Sequence, residues 1–223
     1  MSNGLTPRQQ ARAENLARIK DLALAQLASG GAAELSLRAI ARELNIVSSA
    51  IYRYYPGRDE LITDLVIDAY DDLAEHLLAA LETRRGPRRH WIDACLAMRE
   101  WAIDQPHRFA LIYGSAIPGY FAPEETIESA ARVPACFFAA APDAQAPAQS
   151  HPIGRELRRQ LGVTAAAFDS DADAATVLAQ VTAFAQIVGM LTLELNGHFV
   201  GGFEPADDLY AAVIEREADA LGL

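Results

Sequence analysis

Residues 36–61 read Ser-Leu-Arg-Ala-Ile-Ala-Arg-Glu-Leu-Asn-Ile-Val-Ser-Ser-Ala-Ile-Tyr-Arg-Tyr-Tyr-Pro-Gly-Arg-Asp-Glu-Leu, and they leave the chain little choice of local fold. Ile40, Ala41 and Leu44 recur at helical spacing behind Ser36, a natural N-cap. Asn45 stands where the chain must reverse, and Asn tolerates the left-handed conformation better than most side chains other than Gly. A second short helix is expected over about 48–54. Only Ala50 and Ile51 can turn inward there, which leaves Ser48, Ser49, Tyr52, Arg53 and Tyr54 facing out. A helix, a tight turn and a second helix with a polar, aromatic and basic surface describe a helix-turn-helix, the arrangement that enters the major groove of DNA.

Net charge stands against that reading at first, because the 223 residues carry a formal −11. Residues 1–60, however, hold eight Lys and Arg against six acids, so this segment is +2 and the remainder −13. Phosphate attraction is local, decaying over about 8 Å at physiological salt, so a basic head on an acidic body is compatible with DNA binding. A structural or nucleoid-coating protein would be basic throughout.

The remaining segments are helical in period. Leu16, Ile19, Ala23 and Leu27 mark a first helix that starts at Thr6-Pro7 and ends at Gly30-Gly31. A long helix follows over about 58–82, with Leu61, Leu65, Ala69, Leu73 and Leu77 on one stripe and Asp64, Asp68, Asp71 and Glu75 off it. Trp91, Cys95, Met98 and Ala102 mark a fifth helix, His107–Tyr113 a sixth, and a seventh is expected from Pro123 to about Ala141, with Glu124 and Glu125 in its first turn. Residues 114–123 read as a loop and 142–152 as a mobile linker. A short helix is expected over about 153–161, a loop over 165–173, a long apolar helix over about 174–195 and a last helix over about 205–221. The chain is therefore expected to be all-α, with a three-helix head over 1–60, reaching about residue 70 with the start of the linking helix, and a larger helical body over 61–223.

The run Ile40–Leu61, with its Tyr-x-Tyr-aromatic ending and its basic-acidic-acidic-Leu entry into the next helix, closely resembles the DNA-binding signature of the TetR (tetracycline-repressor) family of bacterial regulators. The resemblance covers about residues 8–70. It implies that Arg38, Val47, Ser48 and Ser49 lie toward bases, that Tyr52, Tyr54 and Arg58 hold phosphates, and that Ser36 and Arg53 belong to the same surface. The chemistry agrees: Arg pairs bidentately with guanine, Ser donates or accepts at a base edge, and a phenol clamps backbone without reading sequence. Two positions depart from the family pattern. Asn45 replaces the usual turn Gly, and Val47 replaces the usual Ser or Thr cap, so capping passes to Ser48 or is lost and Val47 is free to meet a thymine methyl.

From about Trp91 onward the chain is similar to one subgroup of the family's C-terminal domains, the WHG type, particularly at Pro106–Gly114 and Pro118–Pro123. That similarity implies a body that dimerises and responds to a small molecule. Residue type suggests Trp101, Phe109, Tyr113, Tyr120, Phe121, Phe137 and Phe184 as cavity aromatics, with His107 and Gln186 as polar anchors, although such aromatics are more often simply core. The helix over 174–195 is apolar on nearly every face, which requires cover on two sides, so a homodimer through the last two helices is expected, with a wholly internal helix in a monomer as the alternative.

Enzyme chemistry finds no foothold. His90 and Cys95 point about 140° apart on a helix, the histidines lack metal spacing, and neither a phosphate loop nor a GxSxG turn occurs. Cys95 and Cys136 read as buried reduced thiols. The N-terminus lacks an apolar signal core and no run reaches about 18 uninterrupted apolar residues, so a cytoplasmic protein without a membrane is expected. The partners implied are a palindromic double-stranded DNA operator, a second copy of the chain and an unidentified effector. No cofactor or metal is implied. Repression is the expected output, with activation or effector-independent binding as alternatives and a small-molecule-binding enzyme as the least favoured reading.

Overall fold

The computed structural model describes residues 6–31, 35–82, 86–147 and 152–223. Among these, ten α-helices follow one another: α1 Pro7–Gly30, α2 Leu37–Glu43, α3 Ser48–Ile51, α4 Arg58–Leu81, α5 Pro87–Asp104, α6 Pro106–Tyr113, α7 Thr126–Ala140, α8 Arg155–Ala167, α9 Ala174–Leu195 and α10 Asp207–Ala220. The fold is all-α, as its periodicity requires. Local chemistry sets several of the ends. Thr6 and Gln9 form a reciprocal capping box at the start of α1, which closes at Gly31, whose positive φ of 68° suits glycine.

The long helix α4 is the axis of the molecule. Its first half gives Leu61, Ile62, Leu65 and Val66 to a head core shared with Ile19 and Ala23 of α1, Leu37, Ile40 and Ala41 of α2, and Ile51 of α3. Its second half gives Leu73, Ala74 and Leu77 to a body core with Trp91, Met98 and Trp101 of α5, Phe137 of α7, Ile187 and Leu191 of α9, and Tyr210 and Ile214 of α10. Tyr70 and Ile112 pack against both cores, so head and body are continuous through α4 and α6.

Three segments differ from expectation. The seventh helix begins at Thr126 rather than Pro123, because Thr126 Oγ1 donates to Pro123 O at 2.7 Å and folds Pro123–Thr126 into a turn ahead of it. Glu128 is then the acid of its first turn. The stretch expected to be a mobile linker is docked over 142–147: Ala144 is buried, Gln145 N donates to Leu221 O at 2.9 Å and Ala146 N to Thr176 Oγ1 at 3.3 Å. Residues 148–151 lie outside the described residues. Finally, α8 runs on to Ala167, because Leu161 and Ala165 bury against Val177 and Phe168 stacks on Phe138 at 4.6 Å. Alanine, read in sequence as loop filler, is the best helix former and needs only such an anchor.

Candidate nucleic-acid interface

The turn between α2 and α3 is built by backbone hydrogen bonds. Asn45 takes φ +55°, Asn45 N donates to Arg42 O at 3.1 Å and Ile46 N to Ala41 O at 3.0 Å. That pair is a Schellman closure, completed by half-buried Ile46 packing on the head core. At the other end of α2, Ser36 accepts from Ala39 N at 3.3 Å while its own N–H donates to Gln26 Oε1 at 2.9 Å, so the Ser36 hydroxyl is engaged as a cap and α2 is tied to α1.

The helix α3 starts at Ser48 behind Val47, an N-cap that makes no side-chain cap hydrogen bond and is 71% exposed. Of the sequence-predicted residues, Arg38, Val47, Ser48, Ser49, Tyr52 and Arg53 are all exposed. Ile51, by contrast, is fully buried and anchors the helix from behind. Tyr54 is half-buried: its hydroxyl accepts from Asn15 Nδ2 at 3.3 Å and the Arg12 guanidinium lies 5.4 Å from its ring centroid. Arg58 opens α4, with Nη1 at 3.4 Å from Asp59 Oδ1. The helix α3 ends at Ile51, and Tyr52–Tyr54 continue as turns held by Arg53 N to Ala50 O and Tyr54 N to Ile51 O.

Behind this surface lies an ionic clasp that sequence spacing did not reveal. Lys20 Nζ of α1 sits 2.9 Å from Asp64 and 2.6 Å from Asp68 of α4, and the Tyr55 hydroxyl donates to Asp64. Burial, reinforced by the Asp64 hydrogen bond and charge, holds the Tyr55 phenol well above its ordinary value. Burial alone would lower the pKa of Lys20, but the hydrogen bonds and charges of Asp68 and Asp64 outweigh it and the net direction is upward. The ammonium therefore stays charged, and α1, α4 and the end of the recognition segment are fixed to one another. Asp71 and Asp72 extend the same use of α4 acids into the body, held by Arg132 at 2.6 Å and Arg108 at 2.8 Å.

Known proteins share this fold. A family model described as bacterial regulatory proteins of the tetR family matches residues 19–65, and a tetracyclin repressor-like C-terminal domain model matches residues 91–216, more than half of the chain. The chain belongs to the TetR family. The HTH-type transcriptional regulators Rv1816 of Mycobacterium tuberculosis (strain ATCC 25618 / H37Rv) and Mb1846 of Mycobacterium bovis (strain ATCC BAA-935 / AF2122/97) are each 47% identical to it over 136 residues, 59% of this chain. That match spans only 57% of the length of these relatives. The crystal structure of SCO4313, assigned as a regulatory protein, is 35% identical with a TM-score of 0.77, covering 98% of this chain and 100% of that one. PfmR, a TetR family regulator from Thermus thermophilus, shares the fold at a TM-score of 0.57 and 18% identity, over 92% of this chain and 98% of its own.

In the TetR-family body the aromatics proposed for an effector fall into three groups. Trp101, Phe109 and Phe137 are buried, and Phe109, Tyr113, Phe184 and Phe137 form a chain of ring contacts at 5.2–6.3 Å inside the core. Tyr120 and His107 line surface concavities, and Phe121 is 90% exposed. Gln186 is half-buried on α9. The Tyr120 concavity, about 620 Å³, is bounded by α4, α6, α7 and the 114–125 loop, with Tyr70, Ile112 and Ile117 along it. Tyr120 also reaches α4 directly, its hydroxyl 3.0 Å from Thr63 Oγ1 within the head-proximal turns. Cys95 and Cys136 are buried, and burial pushes both thiols up, well above the ordinary range for Cys95. Among the described residues no group of three or more His, Cys, Asp or Glu could hold a metal.

Proposed function

We propose that this TetR-family chain is a DNA-binding transcriptional regulator, and that it acts as a homodimeric repressor on a palindromic operator. The observation that carries the reading is the exposed edge of Arg38, Val47, Ser48, Ser49, Tyr52 and Arg53 around a recognition helix whose opposite face is closed by Ile51. In this reading Arg38, Val47, Ser48 and Ser49 meet base edges, while Tyr52, Arg53, Tyr54 and Arg58 hold backbone. Ser36 acts indirectly, by fixing α2.

Dimerisation is supported by α9. By length and composition this helix could cross a bilayer, yet only a third of its most apolar stretch is buried, and Val181 and Leu193 are exposed. A mate packed on α9 and α10 would cover that face and place two heads on successive major-groove faces about 34 Å apart. Such a regulator works in the cytoplasm. Light scattering at micromolar concentration should give twice the chain mass of 24.1 kDa; a monomer would remove the two-half-site reading.

Effector control is supported by the Tyr120 concavity. A ligand there would compete for the Tyr120 hydroxyl and loosen the 114–125 loop from Thr63, altering α4 just below the head. It shifts DNA affinity only if it binds one arrangement more tightly than the other. The deciding experiment is selection of bound duplexes from a randomised library, followed by small-molecule screening for release. An enriched inverted repeat is expected, and recovery of no preferred sequence would refute specific regulation.

A further inference from the structure

Beside the base-facing edge lies a second concavity with different chemistry. Arg8, Arg12 and Asn15 stand at i, i+4 and i+7, one stripe of α1. With Gln9, Arg53 and Tyr54 they line a notch of about 440 Å³ between α1 and the end of the recognition segment. Among the described residues none of these three arginines forms an ion pair, and no carboxylate lines the notch. Tyr54 organises it: the Arg12 guanidinium lies over the ring at 5.4 Å, and Asn15 donates to the hydroxyl at 3.3 Å, which leaves the phenol its own proton to donate outward. Three cations and a phenolic donor facing one space without a counter-charge suit an oxyanion, whose oxygens match the guanidinium fork.

We propose that this notch is a phosphodiester clamp that extends the DNA interface from the recognition helix onto α1, with Arg8 and Arg12 as backbone-binding residues. The proposal rests on the DNA-binding reading above, and position selects the ligand: the notch shares Arg53 and Tyr54 with the recognition segment, so a duplex whose bases meet Ser48 and Ser49 brings its backbone past α1. Because a phosphodiester carries no sequence information, the clamp contributes affinity and register, and base choice stays with α3.

The test uses the full-length protein and fluorescence anisotropy on two 30-bp duplexes, one scrambled and one recovered by selection, across 50–300 mM KCl. The double variant R8Q/R12Q should bind both duplexes roughly tenfold more weakly, and its log K against log salt slope should be shallower by about 0.9 for each phosphate it no longer holds. Its ranking of single-base operator variants should match the wild type. Arg8→Lys with Arg12→Lys keeps the charge and should retain the slope, and matched thermal melts exclude unfolding as the cause. Unchanged affinity and slope in R8Q/R12Q while the wild type binds would overturn the clamp, as would altered base preference, which would put Arg8 or Arg12 in a groove. Inorganic phosphate at matched ionic strength separates the sources of the anion: low-millimolar phosphate that displaces duplex from wild type but not from R8Q/R12Q would reassign the notch to a small anion. A wild type that binds neither duplex at 50 mM KCl would overturn the DNA reading together with the clamp.

Discussion

The two ends of α4 handle positive charge in opposite ways. In the body, Arg88, Arg99, Arg108, Arg132 and Arg216 each meet one or two carboxylates: Glu215 and Asp219, Glu194 and Asp207, Asp72, Asp71, and Glu217 respectively. In the head, Arg8, Arg12, Arg18, Arg38, Arg42 and Arg53 meet none among the described residues, whereas Lys20, which fixes α1 to α4, is paired. These body arginines are tied into the fold by ion pairs, whereas those six head arginines carry no such pair among the described residues; Arg58, at the start of α4, stands beside Asp59. The formal charge of −11 therefore says little about partners, because the acidic excess sits where arginines are already neutralised. That excess also makes the chain strongly polarised, which favours approach to a polyanion with the head foremost.

Swapping the two kinds of arginine should separate stability from binding. Arg99→Gln in the body leaves Glu194, a largely shielded carboxylate, without its partner and should cost about 2–4 kcal/mol of stability in denaturant melts. DNA affinity measured below the transition should not change. Arg38→Ala in the head should do the reverse, shifting stability by no more than about 0.5 kcal/mol while costing about 1–3 kcal/mol of operator affinity and relaxing preference at one position. If both variants lost stability and affinity together, the division between the two regions would not hold.

The clasp behind the recognition segment, which ties α1 to α4 within the head, should respond to pH. Lys20 and Tyr55 both have folded-state pKa values raised above their ordinary ones. Their stabilising contribution is therefore complete below about pH 10, where the unfolded-state groups are also protonated, and is lost as pH rises beyond it. Urea midpoints should fall above pH 10 for this reason and show no contribution from these two groups between pH 6 and 9. Tyr55→Phe should flatten the alkaline fall, and an identical alkaline profile in Y55F would show that the phenol contributes nothing.

Much of this was legible in sequence. The Asn45 turn, the Ser36 and Thr6 caps and the limits of α9 follow from local rules that depend on a few neighbouring residues. What was not legible depends on contacts distant in sequence. Asp64 and Asp68 lie off the apolar stripe of α4, and nothing local shows that Lys20, more than 40 residues earlier, closes over them. Arg12 and Asn15 likewise look like an ordinary solvated helix face until Tyr54 is folded against them. The body aromatics were indistinguishable by type, and only packing separates core-bound Phe137 from exposed Phe121.

The smallest effect expected is at Val47. Replacing this uncapped residue with Thr supplies a side-chain acceptor at the start of α3 and should stabilise the head by about 0.5–1 kcal/mol. The same change should alter base preference, because a hydroxyl replaces an apolar contact. A stabilised V47T protein with an unchanged selected sequence would move Val47 away from the bases.

The most direct test of the account is the salt dependence of binding by the full-length chain to its own selected duplex. Unpaired head arginines predict a steep negative slope of log K against log salt, consistent with several phosphate contacts per protomer, and a bound sequence that is an inverted repeat with half-sites about one helical turn apart. Binding that is indifferent to salt, or no enrichment of any sequence, would contradict it.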